Sequence, residues 1–413
     1  MSDNFQLFRS LLARNNLLIF TRPDLKEKME SILKLNGFES ISVLSFKDTK
    51  ETVFPRLLSF ILRWIDPSTG TVRILHRERE CLRITPFGLI LRKMIHIIFS
   101  NIPKLKIGIR FLYILATKKS YLKNSFSETP PKLDLLFITS LTNIESDLQI
   151  GTFYKKKNTP VIATVRSWDN LVTKGILRFA PDIFLSHSRY MSEIAIKNHE
   201  LQSTSVRTLV TPCYQKRFKP VRLKLDEKKL EISYGCIGPF LNPDELNFIK
   251  VLCDISRKTN VQLTIIQHPK FSHNFEGINL EKVEVKSFDY LNSTLTKYYT
   301  FLASQSFVIA SGTTLALDAL FVGTPVLGLE FEIETQDFWS SHLRSYDVVP
   351  HTKKLFEKYQ IPRLKNELEL IQYVSGKKSI NLDQYFNFDL EFITGDEKKI
   401  FIDELASAMR YLI

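Results

Sequence analysis

The feature that most constrains this chain is an alternation of short, continuous apolar runs with longer amphipathic ones. Residues 17-LLIFT-21, 25-LKEKMESILKLNGF-38 and 41-ISVLSF-46 read as strand, helix and strand, with Gly37 where a helix C-terminus favours glycine. The pattern resumes with strand 133-LDLLFIT-139, a helix over 145–158, strand 161-VIATV-165, strand 182-DIFLSH-187, helix 189-RYMSEIAIKNHE-200 and strand 206-VRTLVT-211. A charged stretch, 215-QKRFKPVRLKLDEKK-229, reads as a linker. A second alternation follows: strand 231-EISYGCIG-238, helix 243–259, strands 261-VQLTIIQ-267 and 282-KVEVKS-287, helix 292–305, strand 307-FVIAS-311, helix 313–323 and strand 325-PVLGLEF-331. Strands that are apolar throughout need cover on both faces, which parallel sheets obtain from their crossover helices. The expected fold is therefore α/β: two Rossmann-like, doubly wound lobes facing an interdomain cleft. The first spans 1–220 and the second 230–395, and an amphipathic helix over 396–413 packs back.

A length of 413 residues accommodates two or three cored domains, and the 44% apolar and 24% charged content is that of a soluble globular chain. Cys81, Cys213, Cys236 and Cys253 are scattered with no CxxC pair, which points to a reducing compartment and to no zinc site. The first residues, MSDNFQLFRSLLARNN, lack the order of a signal peptide, and no apolar run approaches the roughly 18–20 residues of a spanning helix. A cytoplasmic protein is expected.

The net charge of +13 is concentrated in one insertion. Between Thr52 and Asn124 there are fourteen Lys/Arg, including Arg92, Lys93, Lys104, Lys106 and Arg110, against Asp66, Glu78 and Glu80, a local balance of +11. These cations are interleaved with 54-FPRLLSFILRWI-65 and 87-FGLILRKMIHIIFSNIPKLKIGIRFLYIL-115. Basic helices with a broad apolar face suit peripheral contact with an anionic membrane surface, on the inner face of the cell membrane. The other reading is an apolar face turned into the core and cations turned to water. Nucleic acid is disfavoured, because the interleaving is aliphatic and no RNA-binding or zinc-finger pattern is present.

The richest site-bearing stretch is 307-FVIASGTTLALDALFVGTPVLGLEF-331. A strand runs into Ser-Gly-Thr-Thr and a helix starts at once, so unpaired N–H groups and the positive helix end make an anion site. Gly312 admits a phosphate to the backbone, Ser311, Thr313 and Thr314 add hydroxyls, and Asp318 follows four residues after Thr314 on the same helix face. No GK[ST] follows the glycine, so this is not a P-loop. Strand 261–267 ends in 268-HPK-270, which puts His268 at the sheet's carboxyl edge, and Gly238 sits at the first strand-to-helix turn of the second lobe. In the first lobe, strand 161–165 hands over to 167-SWDNLVTKG-175.

A strand, a small hydroxyl-rich turn and a helix with an acid in mid-course, followed by G-x-P-V and an apolar strand, resemble the nucleotide-binding lobe of GT-B glycosyltransferases. The HP pair after a strand and the SWDN-x-x-x-K-G turn are similar to motifs of the bacterial surface-polysaccharide branch and of the CDP-glycerol glycerophosphotransferase-like group. The resemblance covers roughly 133–331. It implies a metal-independent glycosyltransferase moving a sugar from a nucleotide-sugar donor to a lipid-linked or oligosaccharide acceptor, with no resident cofactor. It further implies that Ser311, Gly312, Thr313 and Thr314 hold the donor diphosphate, with Gly238 and Lys270 beside it. Asp318 would reach the ribose, where relatives usually carry Glu, and Glu330 would supplement it. His268 would steady phosphate charge or transfer a proton. On the acceptor side, Asp169 would be the base, with Trp168, Asn170 and Lys174 lining the cleft. A CDP-alcohol-dependent glycerophosphotransferase-like enzyme and a sugar-nucleotide 2-epimerase share the fold and remain alternatives, as does a non-enzymatic scaffold.

Overall fold

The apolar runs fold as short parallel strands covered by helices. The computed structural model describes residues 16–46, 52–64, 94, 105–116, 126, 129–141, 145–165, 167–168, 170–173, 175–209, 230–238, 245–259, 261–268, 272–288, 294–310, 314–329, 350–375, 377, 405, 407–409 and 412. The chain forms two compact units, one of Met1–Pro67, Pro86–Pro212 and Glu391–Ile413, the other of Ser68–Thr85 and Cys213–Leu390.

The first unit opens with β1 (Leu18–Thr21), α1 (Lys26–Leu35) and β2 (Ser42–Ser45), the two strands pairing in parallel. Leu33, Phe38, Ile41 and Val43 make the small core beneath them. Two helices, α2 (Val53–Trp64) and α3 (Leu105–Ala116), share a core of Leu58, Leu62, Ile109 and Tyr113 with Ile176. There follow β3 (Leu136–Ile138), α4 (Glu145–Lys155), β4 (Val161–Ala163), the single turn α5 (Asn170–Thr173), β5 (Ile183–Ser186), α6 (Arg189–Lys197) and β6 (Val206–Thr208). Their strands build an all-parallel sheet in the order β3-β4-β5-β6. Ser188 caps α6, its side chain accepting from the Met191 N–H at 3.1 Å. Near the chain's end, Leu405 and Ala408 are buried in a cluster with Ile162, Ile183, Leu185 and Leu209.

The second unit contains β7 (Leu230–Gly235), α7 (Glu245–Lys258), β8 (Val261–Gln267), β9 (Val283–Ser287), α8 (Leu295–Ser304), β10 (Phe307–Ala310), α9 (Thr314–Phe321), β11 (Val326–Leu329), α10 (Pro350–Lys358), β12 (Arg363–Leu364) and α11 (Glu367–Val374). Six parallel strands lie in the order β12-β11-β10-β7-β8-β9. The sheet grows outward from β7 in both directions, which is the doubly wound Rossmann order. Alternate residues Ile232, Tyr234, Leu263, Ile265, Phe307, Ile309, Leu327 and Leu329 share one core with Phe248, Ile249 and Leu252 of α7 and with Leu370 and Tyr373 of α11. Each such fully buried side chain contributes roughly 1.5–3 kcal/mol. The α10–β12–α11 run was not anticipated from sequence, yet it supplies the sixth strand and part of this core.

The basic insertion departs from expectation. On α3 the cations point inward: Lys106 is 9% exposed and its Nζ donates to the Asn198 carbonyl at 2.7 Å, while the buried Arg110 donates through Nη2 to the His199 carbonyl. Asn198 and His199 end α6, so both cations satisfy terminal carbonyls at the negative end of a helix. Burial pulls the Arg110 guanidinium down to about 10, with Glu200 opposing the shift. The exposed side of α3 is apolar instead, with Ile107, Phe111 (60% exposed), Leu112 and Leu115, while α2 exposes Val53, Phe54 and Leu57 together with Arg56. Lys106 and Arg110 are therefore structural and do not face an anionic surface; Arg92, Lys93 and Lys104 lie outside the described residues.

Replacing Arg110 by Ala strands a buried carbonyl, and the expected loss is about 1–3 kcal/mol in urea denaturation. Lys106→Ala should act in the same direction, and neither change should alter adsorption to anionic vesicles. Reduced adsorption with unchanged stability would contradict the inward assignment.

Candidate functional site

Strand order picks out one place in the second unit. Between β7 and β10 the direction of sheet growth reverses, and ligands of doubly wound sheets bind beyond the carboxyl ends of strands at such a switch. Ala310 pairs with Gly235, and Gly235 pairs with Ile266, so the segments leaving β10, β7 and β8 emerge side by side. These are the segments that carry Ser311–Thr314, Gly238 and His268.

The loop after β7 is held by a residue that sequence reasoning missed. Glu245, the first residue of α7, is fully buried. Its Oε1 accepts from the Tyr234 hydroxyl and from the Ile237 N–H, both at 2.7 Å. Its Oε2 accepts from the Gly238 N–H at 2.8 Å and from His273 Nε2 at 2.5 Å. A carboxylate has about four lone-pair positions, and here four donors meet them. Gly238 takes φ 89°, a left-handed conformation that suits glycine and turns its N–H toward the carboxylate. The buried His273 comes from the segment beyond His268, so one side chain ties the loop after β7 to the loop after β8. The Cys236 N–H adds a second tie, to the Ile266 carbonyl at 2.9 Å.

Cys236, Glu245 and His273 also bring a thiol, a carboxylate and an imidazole within 4.8 Å of one another, a set with metal-ligand chemistry that the cysteine spacing did not reveal. The hydrogen bonding reads otherwise. Both carboxylate oxygens are occupied, His273 Nε2 carries the proton it gives Glu245, and burial with the adjacent Glu245 charge holds Cys236 protonated, above the usual thiol range. The cluster is a hydrogen-bonded knot.

On the other side of the switch, Thr314 is the exposed first residue of α9. Gly235 lies against this helix: a Cβ there would meet Leu315 Cδ2 at 2.1 Å, so a larger residue would displace the Leu315 side chain at the first turn of α9. Asp318 is buried, not solvated, and its Oδ2 accepts from the Tyr298 hydroxyl at 2.8 Å. Tyr298 packs edge-on against Phe288 at 5.6 Å. His268 stands half-buried at the end of β8. Lys270, Ser311, Gly312, Thr313 and Glu330 lie outside the described residues.

In the first unit, Trp168 is packed, 5% exposed, and does not present an open ring. Asn170 starts α5; it is buried, and its Nδ2 has no hydrogen-bond partner among the described residues. Asp169 and Lys174 lie outside those residues. The α5 turn is pinned by His199, whose Nε2 donates to the Leu171 carbonyl at 2.7 Å while Nδ1 accepts from the Leu177 N–H at 3.2 Å. Both ring nitrogens are used in the neutral form. Burial, with Arg110 and Lys106 nearby, lowers the His199 pKa to about 3 against the Leu171 bond, which raises it. His187, after β5, is lowered to about 4 by burial.

No known protein family and no curated protein matches the sequence. Solved structures do match. The glycotransferase of kitacinnamycin aligns at a TM-score of 0.50 and 11% identity, over 100% of this chain and 95% of its own. Arabidopsis thaliana UGT89C1 complexed with UDP aligns at 0.50 and 10%, over 98% and 95%. UDP-GlcNAc 2-epimerase from Methanocaldococcus jannaschii aligns at 0.46 and 11%, over 96% and 99%. The chain has a mixed α/β fold with parallel sheets that matches the GT-B fold.

Removing the Glu245 carboxylate leaves two N–H groups, a tyrosine hydroxyl and a histidine without their partner. Glu245→Ala is expected to cost about 3–5 kcal/mol by chemical denaturation; a loss below 1 kcal/mol would dismiss the knot. The two first-unit histidines set a pH dependence of stability. Their folded pKa values, about 4 and about 3, lie below the unfolded 6.5, so on acidification the unfolded chain takes up protons first. Stability is full above pH 6.5 and declines as pH falls toward 4, by about 1.4 kcal/mol per unit for each histidine. Urea titrations at pH 7, 6 and 5 check this, and His199→Gln should flatten the slope.

Proposed function

We propose that the chain is a glycosyltransferase that passes a sugar from a nucleotide-sugar donor to a lipid-linked glycan acceptor in the assembly of a bacterial surface polysaccharide. The observation that carries the reading is the switch between β7 and β10, with a held glycine loop on one side and a closely seated helix start on the other. In this proposal the donor diphosphate lies on Ser311, Gly312, Thr313 and Thr314, at the positive end of α9. Because the Ile237 and Gly238 N–H groups are given to Glu245, the glycine loop shapes the site and leaves the phosphate to α9. Asp318, oriented by Tyr298, takes the ribose, with Glu330 beside it. Lys270 and His268 meet charge on the leaving diphosphate.

An acceptor hydroxyl oxygen bonds to the anomeric carbon as the bond from that carbon to the phosphate oxygen breaks. The hydroxyl proton passes to Asp169, and the nucleoside diphosphate departs. Trp168, Asn170 and Lys174 shape the acceptor side, Trp168 from within the packed interior. Stabilisation of this kind comes from fixed dipoles and donors aimed where charge develops. The exposed apolar residues of α2 and α3 support peripheral contact with a membrane, where a lipid-linked acceptor resides.

A thermal-shift panel of nucleotides and nucleotide sugars tests the donor site. One nucleoside diphosphate and its sugar should raise the melting temperature, by the equivalent of about 2.7 kcal/mol at a hundredfold excess over Kd; no response from any would end the assignment. Product analysis then separates the chemistries. A free nucleoside diphosphate supports sugar transfer, CMP from a CDP-alcohol supports the glycerophosphotransferase-like alternative, and an epimerised nucleotide sugar formed without acceptor supports the epimerase. Asp169→Asn should abolish transfer and leave donor binding intact. For the membrane, Phe54→Ser with Phe111→Ser should reduce vesicle adsorption, and unchanged adsorption would remove that contact.

A further inference from the structure

The α5 turn cannot hold its own shape. A helix leaves its first four N–H groups and its last four carbonyls without internal partners, and α5 is only four residues long. Its anchors come from outside, and two of them belong to one side chain. The Leu177 N–H donates to His199 Nδ1 at 3.2 Å, so Nδ1 carries the lone pair and the ring hydrogen sits on Nε2. Nε2 gives that hydrogen to the Leu171 carbonyl at 2.7 Å. One fully buried ring thus brackets the run from Leu171 to Leu177, donating at one end and accepting at the other.

His199 is itself fixed from behind. Its carbonyl accepts from Arg110 Nη2, and the neighbouring Asn198 carbonyl accepts from Lys106 Nζ at 2.7 Å. Inside the bracket, the Ile176 N–H donates to the Leu62 carbonyl of α2 at 3.1 Å, and the Ile176 side chain lies in the core that α2 and α3 share. Ahead of α5, the Asn170 N–H closes the preceding turn on the Ser167 carbonyl at 3.1 Å. In the sequence Asp169 lies between Trp168 and Asn170, two residues before the carbonyl that His199 holds.

We propose that His199 is the positioning residue of the acceptor side: by clamping Leu171 and Leu177 it fixes where the Asp169 carboxylate stands relative to the acceptor hydroxyl. Its ring is spent on two backbone groups and touches no substrate, so it acts only through the backbone of α5. The role of Asp169 as base rests on the transferase reading above; the clamp itself does not. A shift of about 1 Å at a reacting group costs on the order of a hundredfold in rate, even when the altered residue is remote from the chemistry. The residues proposed for the donor all belong to the second unit, so loosening the clamp should slow transfer and spare donor binding.

The test uses the full chain, well below the melting temperature of each variant. His199→Leu removes both ring bonds, and His199→Gln keeps one donor and one acceptor. UDP-, dTDP- and GDP-sugars are offered with octyl glycosides of hexoses and N-acetylhexosamines, and donor affinity and stoichiometry are read by calorimetry. In His199→Leu kcat should fall at least tenfold at unchanged donor Kd and stoichiometry, and His199→Gln should recover part of the loss. Loss of donor affinity or stoichiometry in step with kcat would reduce His199 to a structural role, and full transfer by His199→Leu would overturn the proposal outright. If His199→Leu does not fold, Arg110→Ala, which releases the His199 carbonyl and leaves the ring in place, should lower kcat at unchanged donor Kd; an unchanged kcat would count against the clamp. Hydrogen exchange reads the clamp without turnover: the Leu177 amide should be protected in the unmodified chain and exchange faster in His199→Leu. Equal exchange in both would overturn the proposal. No turnover of any donor by an unmodified chain whose Leu177 amide is protected would sink the transferase reading, and the role of Asp169 with it, while the clamp stands.

Discussion

Glu245 holds a negative charge at zero exposure, and a charge so placed persists only while donors surround it. Four elements have to arrive together for that. Tyr234 comes from β7, the Ile237 and Gly238 N–H groups from the loop, the carboxylate itself from the first turn of α7, and His273 from the segment beyond β8. Any of them displaced leaves the charge under-solvated by several kcal/mol. One buried carboxylate thus fixes the loop after β7 against the segment beyond β8.

The first unit handles buried polarity in the opposite way. Its ring nitrogens are kept neutral, and its buried cations donate to backbone carbonyls. Lys106 and Arg110 close the end of α6, and His199, whose own carbonyl accepts from Arg110, clamps the α5 turn. A single line of contacts therefore runs from α3 through the end of α6 to the SWDN turn. The insertion that looked like an appendage for surfaces is, through α3, part of what shapes that turn, while the outward residues of α3 are apolar.

Much of the fold was legible because parallel strands buried on both faces leave a plain mark: 161-VIATV-165 and 307-FVIAS-311 admit few other readings. The α10–β12–α11 run escaped because β12 is two residues long, too short for any periodicity. Site positions were legible to the extent that topology dictates them, since residues after strand ends fall at the carboxyl edge wherever the sheet is parallel. Partners were not. Amphipathic patterning on α3 marks an apolar and a basic side, but it does not say which faces inward, and the helix end that accepts Lys106 and Arg110 lies some ninety residues away in sequence. Glu245 offered one usable signal, an acid in the first turn of a helix after a glycine loop. Its engagement by His273 depends on tertiary closure alone.

The start of α9 shows how little separates a usable anion site from an ordinary packed turn. A helix end attracts phosphate only if the ligand can reach its N–H groups within hydrogen-bond distance. Gly235 faces that turn from the strand side: a methyl group there would sit 2.1 Å from Leu315 Cδ2, and the Leu315 side chain would have to move. Leu315 is itself buried and the helix behind it is covered through Phe321, so the helix cannot simply lean away. The strain of a Gly235→Ala change would fall first on the packing of the Leu315 side chain. The seating of α9 is accordingly constrained from β7 as much as from the helix itself.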